Sequence, residues 1–458
     1  MKLPHPEIFK AYDIRGVVGQ SLTHEIVEQI GRAIGTEALN AGDSAVVVGR
    51  DGRISGPGIA SALMDGICAV GCNTVDIGMV PTPFTYFATH ELGIGSAVSV
   101  TGSHNPPDYN GLKVMIGTHT LAAERIQALR ERIVAQDFSK GTGQRQSHDI
   151  VPAYIDRVVG DIKLDRPLRI VTDCGNGVAG MAAPGLLRDI GCEVSELFSE
   201  VDGNFPNHHP DPSVAKNLAT LIDTVQRENA DLGLAFDGDG DRLGVVSGTG
   251  QIIWPDRQMI LFAQDILSRN PGAQIVYDVK CSRLLPRAIE QAGGRPLMWK
   301  TGHSFIKGKL RETGAALGGE MSGHLFFKER WYGFDDAIYA AARLCELLSR
   351  HSESPSEVFS QIPDTVNTPE LRLEMNEGEH HQLIFELVAQ GKFEGGQTCK
   401  IDGIRVDFDD GFGLARASNT TPTVILRFEA DTQEGLERIQ ACYREQILAL
   451  RPTIQLPF

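Results

Sequence analysis

Short runs of aliphatic and β-branched residues alternate with stretches in which apolar positions return every three or four residues, and this alternation recurs along most of the chain. The run "AVVVG" (45–49) predicts a strand, the following stretch sets Ile59, Leu63, Ile67 and Val70 on one side of a helix, and "NTVDIG" (73–78) predicts a second strand. The rhythm returns as "LRIVTD" (168–173), "APGLLRDIG" and "CEVSELF" (192–198), then as "AQIVYDV" (273–279), "LLPRAIEQAG" and "RPLMWK" (295–300). Each unit is followed by one more apolar run that ends in a polar, glycine-rich loop: "GSAVSVTGSHN" (95–105), "ADLGLAFDGDGDR" (230–242) and "GAALGGEMSGH" (314–324). Three α/β domains of related plan follow from the repeat, and open α/β sheets bind ligands beyond the carboxyl ends of their strands.

Polar segments separate the units: "SKGTGQRQSHD" (139–149), "SGTGQIIWPD" (247–256) and "RHSESPSE" (350–357). Beyond about Asp364 the repeat stops, and "DGIRVDFDDGFG", "TVILRFEA" (423–430) and the helical "TQEGLERIQACYREQILAL" (432–450) predict a small α+β domain. The expected domains are 1–146, 147–250, 251–362 and 363–458, an α/β fold with mixed sheets plus a smaller C-terminal α+β domain.

Composition agrees with this plan. A chain of 458 residues exceeds what a single core supports, and 41% hydrophobic with 22% charged residues is usual for a soluble globular enzyme. Met1 to Lys10 lacks the apolar core of a signal peptide, and no window approaches the roughly 18 apolar residues of a membrane span, so a cytoplasmic protein without a membrane partner is expected. The eight cysteines form no Cys-x-x-Cys motif and read as small buried apolar residues. A net charge of −16 argues against nucleic-acid binding, because phosphate backbones need a basic face, but a small anionic ligand needs only a local cluster of cations.

The loops carry the chemistry. In "FDGDGDR" an extended backbone would send Asp237, Asp239 and Asp241 to the same side, the intervening glycines permit tight curvature, and converging carboxylates that repel by roughly 4 kcal/mol per pair call for a cation. Hard oxygen ligands with room for a phosphate oxygen favour Mg²⁺. An EF-hand would need Gly and Glu where Arg242 and Gly248 stand, and the plain alternative is an acidic hairpin turn. In "SVTGSHNPPDYNGLK" (99–113), Ser103 sits at a strand end, beside Gly102 and ahead of the rigid Pro106-Pro107 turn. A nucleophile or phosphoryl carrier needs such a place, with His104 and Lys113 as charged or proton-shuttling partners; an ordinary Ser/Asn turn is the bland reading.

"GEMSGH" (319–324) offers Glu320 and Ser322 to sugar hydroxyls, and "RASNTTP" (416–422) offers Arg416, Ser418, Asn419, Thr420 and Thr421 to a phosphate. Both also read as plain turns. "GNGVAG" (175–180), a Gly-x-Gly-x-x-Gly between strand and helix with Glu196 about twenty residues on, raises a dinucleotide oxidoreductase as the rival enzyme. A sugar-phosphate-binding regulator without catalysis is a second rival.

Taken in order, "SVTGSHNPPDYNGLK", "DGDGDR", "GEMSGH" and "RASNTTP", together with the early "KAYDIRG" (10–16), resemble the signature loops of the α-D-phosphohexomutases, and the Met of "GEMSGH" resembles the phosphomannomutase/phosphoglucomutase branch. The resemblance covers essentially the whole chain. Gly102 departs from the commoner Ala, which only adds backbone freedom. The resemblance implies four domains around a central cleft and interconversion of hexose 1-phosphate and hexose 6-phosphate through a phosphoserine and a bound hexose 1,6-bisphosphate, which also serves as activator. It implies Ser103 as the phosphoserine and, with Asp237, Asp239 and Asp241, the Mg²⁺ site; Glu320 and Ser322 on the sugar hydroxyls; and Arg416, Ser418, Asn419 and Thr421 on the distal phosphate. Tyr12, Arg15, Lys113, Arg242, Lys280, His303 and His324 would line the cleft, with Arg15 and Lys113 placing or deprotonating the hydroxyl. The only partner implied is a phosphosugar, a monomer is expected, and phosphoglucosamine mutase is the close alternative within the same chemistry.

Overall fold

The computed structural model describes residues 3–419 and 421–458, so Thr420 lies outside the described residues. Its first sheet runs, edge to edge, through the strands Ile14–Val17, Tyr109–Ile116, Ser96–Val100, Ala45–Arg50, Asn73–Met79 and Arg145–Ser147, with His119–Thr120 added beside Tyr109–Ile116. A second sheet orders Ile252–Ile253, Leu243–Ser247, Leu232–Phe236, Arg169–Asp173 and Glu193–Leu197, and a third orders Arg295–Trp299, Gln274–Asp278, Leu317–Gly319 and Leu325–Phe327.

The repeat read from the sequence reappears as shared topology. In each sheet a central strand pairs in parallel on both sides, and one of its parallel neighbours then folds back antiparallel: Ser96–Val100 into Tyr109–Ile116, Leu232–Phe236 into Leu243–Ser247, and Leu317–Gly319 into Leu325–Phe327. The three polar loops are the connections of these hairpins. Because the parallel strands all run the same way, their carboxyl ends deliver the loops to one side of each sheet.

The fourth sheet is antiparallel, built on Thr423–Ala430 and Gly411–Ala417, and the helices Glu379–Gln390 and Gln433–Leu450 cover it. Thr432 starts the last helix by accepting from the Gly435 N–H at 3.1 Å, the side-chain cap that satisfies an otherwise unpaired donor. The helix after Ala45–Arg50 spans Gly56–Cys68 and buries Ile59, Leu63 and Ile67 as expected. Val70 lies past its end yet joins the same core, because the chain turns at Gly71, whose φ is +92°. The polar segments are not all bare linkers. Arg145–Ser147 adds a parallel edge strand to Asn73–Met79, and Ser354 with Glu357 forms a capping box that opens the helix Pro355–Ser360.

One apolar core runs without a break through the three α/β units. Phe84 stacks on Tyr154 at 3.8 Å, Trp331 on Tyr339 at 4.1 Å, and the Tyr154 hydroxyl donates to Asp336 at 2.8 Å. The fourth unit keeps a core of its own and meets the third through a small apolar cluster of Val279, Phe412 and Leu414 and through polar contacts, with Arg405 donating to the carbonyls of Val279 and Cys281 at 2.7 Å each and Ser282 to Glu429 at 2.8 Å. Among the described residues no helix is long and apolar enough to cross a membrane. All eight cysteines are free, and five of them are buried.

Candidate active site

The three hairpin loops and the turn after Gly411–Ala417 face one cleft. It is lined by Tyr12, Arg15, Ser103, His104, Lys113, Arg242, Lys280, His303, Glu320, Ser322, His324, Arg416, Ser418, Asn419 and Thr421, which together hold every expected site residue except the aspartates beneath its floor and Thr420. Five of these side chains are Arg or Lys, so a chain of charge −16 gathers cations at one cleft, where Asp211, Glu320 and Glu370 also line the wall.

Ser103 is 1% exposed and has φ of +48°, left-handed backbone that L side chains rarely adopt. Its Oγ donates to Asp237 Oδ2 at 3.0 Å and lies 3.1 Å from His104 Nδ1. Burial, with Arg242 and Arg15 close by, pushes the His104 pKa well below the ordinary histidine value, so this imidazole is neutral.

Asp237, Asp239 and Asp241 each offer an oxygen within 4.8 Å of the others, and all three are fully buried. Their convergence does not come from an extended strand. Residues 237–242 form a tight turn in which Gly240 has φ of +76° and donates to the Asp237 carbonyl at 3.1 Å, while the N–H groups of Asp241 and Arg242 both donate to Asp237 Oδ1 at 3.1 Å. The glycines permit a reversal that period-two alternation cannot provide.

Lys113 Nζ donates to Asp239 Oδ2 at 2.8 Å and also to Asp241, and Thr82 Oγ1 donates to Asp239 at 2.6 Å. Burial opposes the charge of Lys113, yet Asp239 and Asp241 hold its pKa well above the ordinary lysine value, so it stays an ammonium rather than a base. Burial, with Asp239 and Asp241 alongside, drives the Asp237 pKa well above the usual carboxylate range. Asp239 Oδ1 is buried with no hydrogen bond among the described residues, and Asp241 Oδ1 meets the His324 imidazole at 3.2 Å. Three converging buried carboxylates, one with an unpartnered oxygen, fit a hard divalent cation.

Glu320 is 1% exposed, accepts from the Gly302 N–H and lies 2.8 Å from His324 Nδ1; His324 Nε2 reaches Asp241 at 3.2 Å. Burial works against the His324 charge, but Asp241 and Glu320 raise its pKa to about 9. Ser322 Oγ stands 3.0 Å from the same imidazole. His303 meets Tyr12 edge-on at 5.2 Å and has neither ring nitrogen hydrogen-bonded among the described residues. Burial and Lys307 keep its pKa well below the ordinary histidine value. Lys280 donates to Glu370 at 2.6 Å, Arg416 Nε to Asp402 at 2.9 Å, and Thr421 Oγ1 lies 3.0 Å from Ser418 Oγ, while Arg416 Nη2 is buried without an acceptor among the described residues.

The Gly-x-Gly-x-x-Gly stretch serves the protein rather than a dinucleotide. A Cβ on Gly180 would lie 2.0 Å from the Ser199 carbonyl oxygen and one on Gly177 would lie 3.0 Å from Gly238, so these glycines admit neighbouring backbone, and Val178 N–H donates to the Gly238 carbonyl at 3.2 Å. Glu196 pairs with Arg188 at 2.6 Å. Beside this stretch the buried Asp173 holds His208 Nε2 at 3.0 Å, and Pro210 then accepts from the Gly238 N–H at 3.2 Å. The motif therefore braces the aspartate turn.

Burial opposes the His208 charge, but Asp173 raises its pKa above the ordinary 6.5. The folded state binds this proton more tightly than the unfolded chain does, so the latch contributes fully below pH about 6.5 and is lost as pH rises through the folded value. The unfolding temperature of His208→Gln should therefore trail the parent's by more at pH 6 than at pH 9. A gap independent of pH in thermal unfolding scans would contradict the pairing.

Asp335, Asp211, Glu370 and Asp402 escape sequence reading. Asp335 lies 2.6 Å from Lys307 and 3.4 Å from His303, and Asp211 lies 4.0 Å from Arg242. Each is a loop acid whose meaning comes from the cation facing it. In "GFDDA" the detectable signal is the helix cap, which belongs to Asp336.

Comparison with known proteins agrees with this geometry. The family description "Phosphoglucomutase/phosphomannomutase" matches in four parts: its alpha/beta/alpha domains I, II and III at residues 6–140, 152–250 and 254–366, and its C-terminal domain at 370–446. The chain is 55% identical over 451 residues to a phosphomannomutase/phosphoglucomutase of Pseudomonas aeruginosa, covering 98% of this chain and 97% of that one. It is 54% identical over 446 residues to a phosphoglucomutase of Neisseria gonorrhoeae, covering 96% of each. The crystal structure of a phosphoglucomutase/phosphomannomutase family protein from Burkholderia thailandensis superposes with a TM-score of 0.95 at 53% identity, over 100% of both chains. With its loops, its cleft and its buried aspartates in this arrangement, the chain belongs to the phosphoglucomutase/phosphomannomutase family and is a phosphohexomutase.

Proposed function

We propose that the enzyme interconverts the 1- and 6-phosphates of mannose and of glucose by way of a phosphoryl group carried on Ser103. The observation that carries this reading is the Ser103 Oγ itself, buried at a strand end, 3.0 Å from Asp237 and sharing one cleft with Arg15, Lys113 and Arg242.

In the first half-reaction the 6-hydroxyl of a hexose 1-phosphate attacks phospho-Ser103 in line. The bond between phosphorus and Ser103 Oγ breaks, a bond from phosphorus to O6 forms, and hexose 1,6-bisphosphate results. The hydroxyl proton leaves to an imidazole, because Lys113 is held as an ammonium and the guanidinium groups keep their protons. His303, kept neutral and with neither ring nitrogen hydrogen-bonded among the described residues, takes this proton, while His324, held charged by Asp241 and Glu320, faces it with ring centroids 5.7 Å apart on the cleft wall. The bisphosphate then turns end for end, Ser103 Oγ takes the phosphoryl group from C1, and hexose 6-phosphate leaves.

Both orientations use the same clamps. Arg416, Ser418, Asn419 and Thr421 receive whichever phosphate lies far from Ser103, and Glu320 with Ser322 receives the ring hydroxyls. Asp237, Asp239 and Asp241, with a Ser103 phosphate oxygen, would hold Mg²⁺, which when bound offsets negative charge on the phosphoryl oxygens. Hexose 1,6-bisphosphate would reload an enzyme that has lost its phosphate.

Coupled assays test the substrate range. Glucose 1-phosphate and mannose 1-phosphate should give kcat/KM values within about tenfold of each other, since a change at one ring carbon alters a single hydroxyl contact worth about 1 kcal/mol. Glucosamine 1-phosphate turned over more than tenfold better than both would reassign the sugar.

A further inference from the structure

Arg53 neither lines the cleft nor belongs to any of the four loops, yet its guanidinium is the most heavily engaged group beneath Ser103. It is 1% exposed. Nη2 donates to the carbonyls of Ser103 at 2.8 Å and Asn105 at 2.6 Å, and Nη1 to those of Pro106 at 2.5 Å and Tyr109 at 3.0 Å. Nε donates to Asp51 at 3.2 Å, and the Phe205 ring lies 5.2 Å from the guanidinium carbon.

Asp51 grips the other end of the same turn. Its Oδ2 accepts from Thr101 Oγ1 at 2.8 Å and from the Gly102 N–H at 3.1 Å, and Thr101 Oγ1 in turn accepts from the Ser103 N–H at 2.7 Å. Both peptide groups of Ser103 therefore lead back to one buried ion pair. Gly102 fits this arrangement for a reason other than backbone freedom, since its φ is not left-handed: a Cβ there would lie 2.4 Å from the guanidinium carbon. Gly238 of the aspartate turn packs on the tethered carbonyl from the other side, where a Cβ would lie 2.4 Å from Ser103 O.

We propose that Arg53, oriented by Asp51, is the positioning residue that holds the left-handed Ser103 turn at the correct height over the aspartates. The proposal rests on the reading of Ser103 as the phosphoryl carrier. Four carbonyls spread over residues 103–109 need a planar fork, which an ammonium point charge cannot replace. A displacement of about 1 Å at a nucleophile costs on the order of 100-fold in rate.

The test uses the full chain. Arg53→Ala should lower kcat about 100-fold while KM stays within about threefold. Added guanidinium ion at millimolar concentration should restore part of the lost kcat, and Arg53→Lys should recover little of it. Amide hydrogen exchange at residues 101–109 should quicken about tenfold in Arg53→Ala, with exchange elsewhere unchanged. Should Arg53→Ala fail to fold, Asp51→Asn is read by kcat, KM and exchange at residues 101–109, without the guanidinium arm, because Arg53 still fills its own site. A kcat within threefold of the parent, or a loss that guanidinium does not restore and that tracks the unfolding temperature, would overturn the positioning role. Unchanged exchange at 101–109 overturns the tether alone, whereas activity surviving in Ser103→Ala overturns the carrier reading alone.

Discussion

Ser103→Ala is expected to cut turnover by on the order of 10⁴-fold or more, because a covalent carrier has no substitute once its oxygen is gone. Its hydroxyl is the one at this strand end that touches the aspartate turn, and His104, 3.1 Å away, is neutral and partnered to that same oxygen. The variant should still bind hexose 1-phosphate and hexose 6-phosphate by calorimetry, since Arg416, Glu320 and their neighbours are untouched. A coupled mutase assay with hexose 1,6-bisphosphate supplied decides the matter, and normal activity under those conditions removes Ser103 from the reaction.

Loss of the divalent cation should have the next largest effect. Exhaustive chelation is expected to lower turnover by about 100-fold or more, with recovery on adding Mg²⁺, and Asp241→Asn should produce a comparable loss that Mg²⁺ does not repair. The physical reason is the electrostatics of the turn. Asp239 and Asp241 pair with Lys113 and Asp241 also with His324, Asp237 is driven well above the usual carboxylate range, and Asp239 Oδ1 has no hydrogen bond among the described residues. A binding readout separates this from activity: Mg²⁺ should raise the unfolding temperature of the chelated parent and leave that of Asp241→Asn unchanged. Equal turnover before and after chelation would assign the aspartates to a purely structural charge cluster around Lys113.

The residues that sequence reading found share one property. Ser103, the three aspartates, Glu320 with Ser322, and Arg416 with Ser418 each lie in a compact stretch whose glycines and polar groups announce a strand-terminal loop. Residues such as Asp335, Asp402 and Arg53 carry no such mark. Arg53 reads in sequence as a loop arginine beside an aspartate, and its four acceptors come from a loop about fifty residues further along. Convergence of the aspartates was legible but its geometry was not, because a turn closed by Asp237 Oδ1 and an extended segment place the same carboxylates together by different routes.

Local pattern alone specified three related α/β units and a different fourth, and the strand-end loops proposed to carry the chemistry. These follow from periodicity and turn chemistry, which act over a few residues and are written in order along the chain. Folding in three dimensions decided which loops face one cleft, which acids neutralise which cations, the charge states of Lys113, His104 and His303, and the burial of Arg53 under Ser103. Those properties depend on desolvation and on charges a few ångströms away in space, and groups hundreds of residues apart become such neighbours only when the sheets have packed.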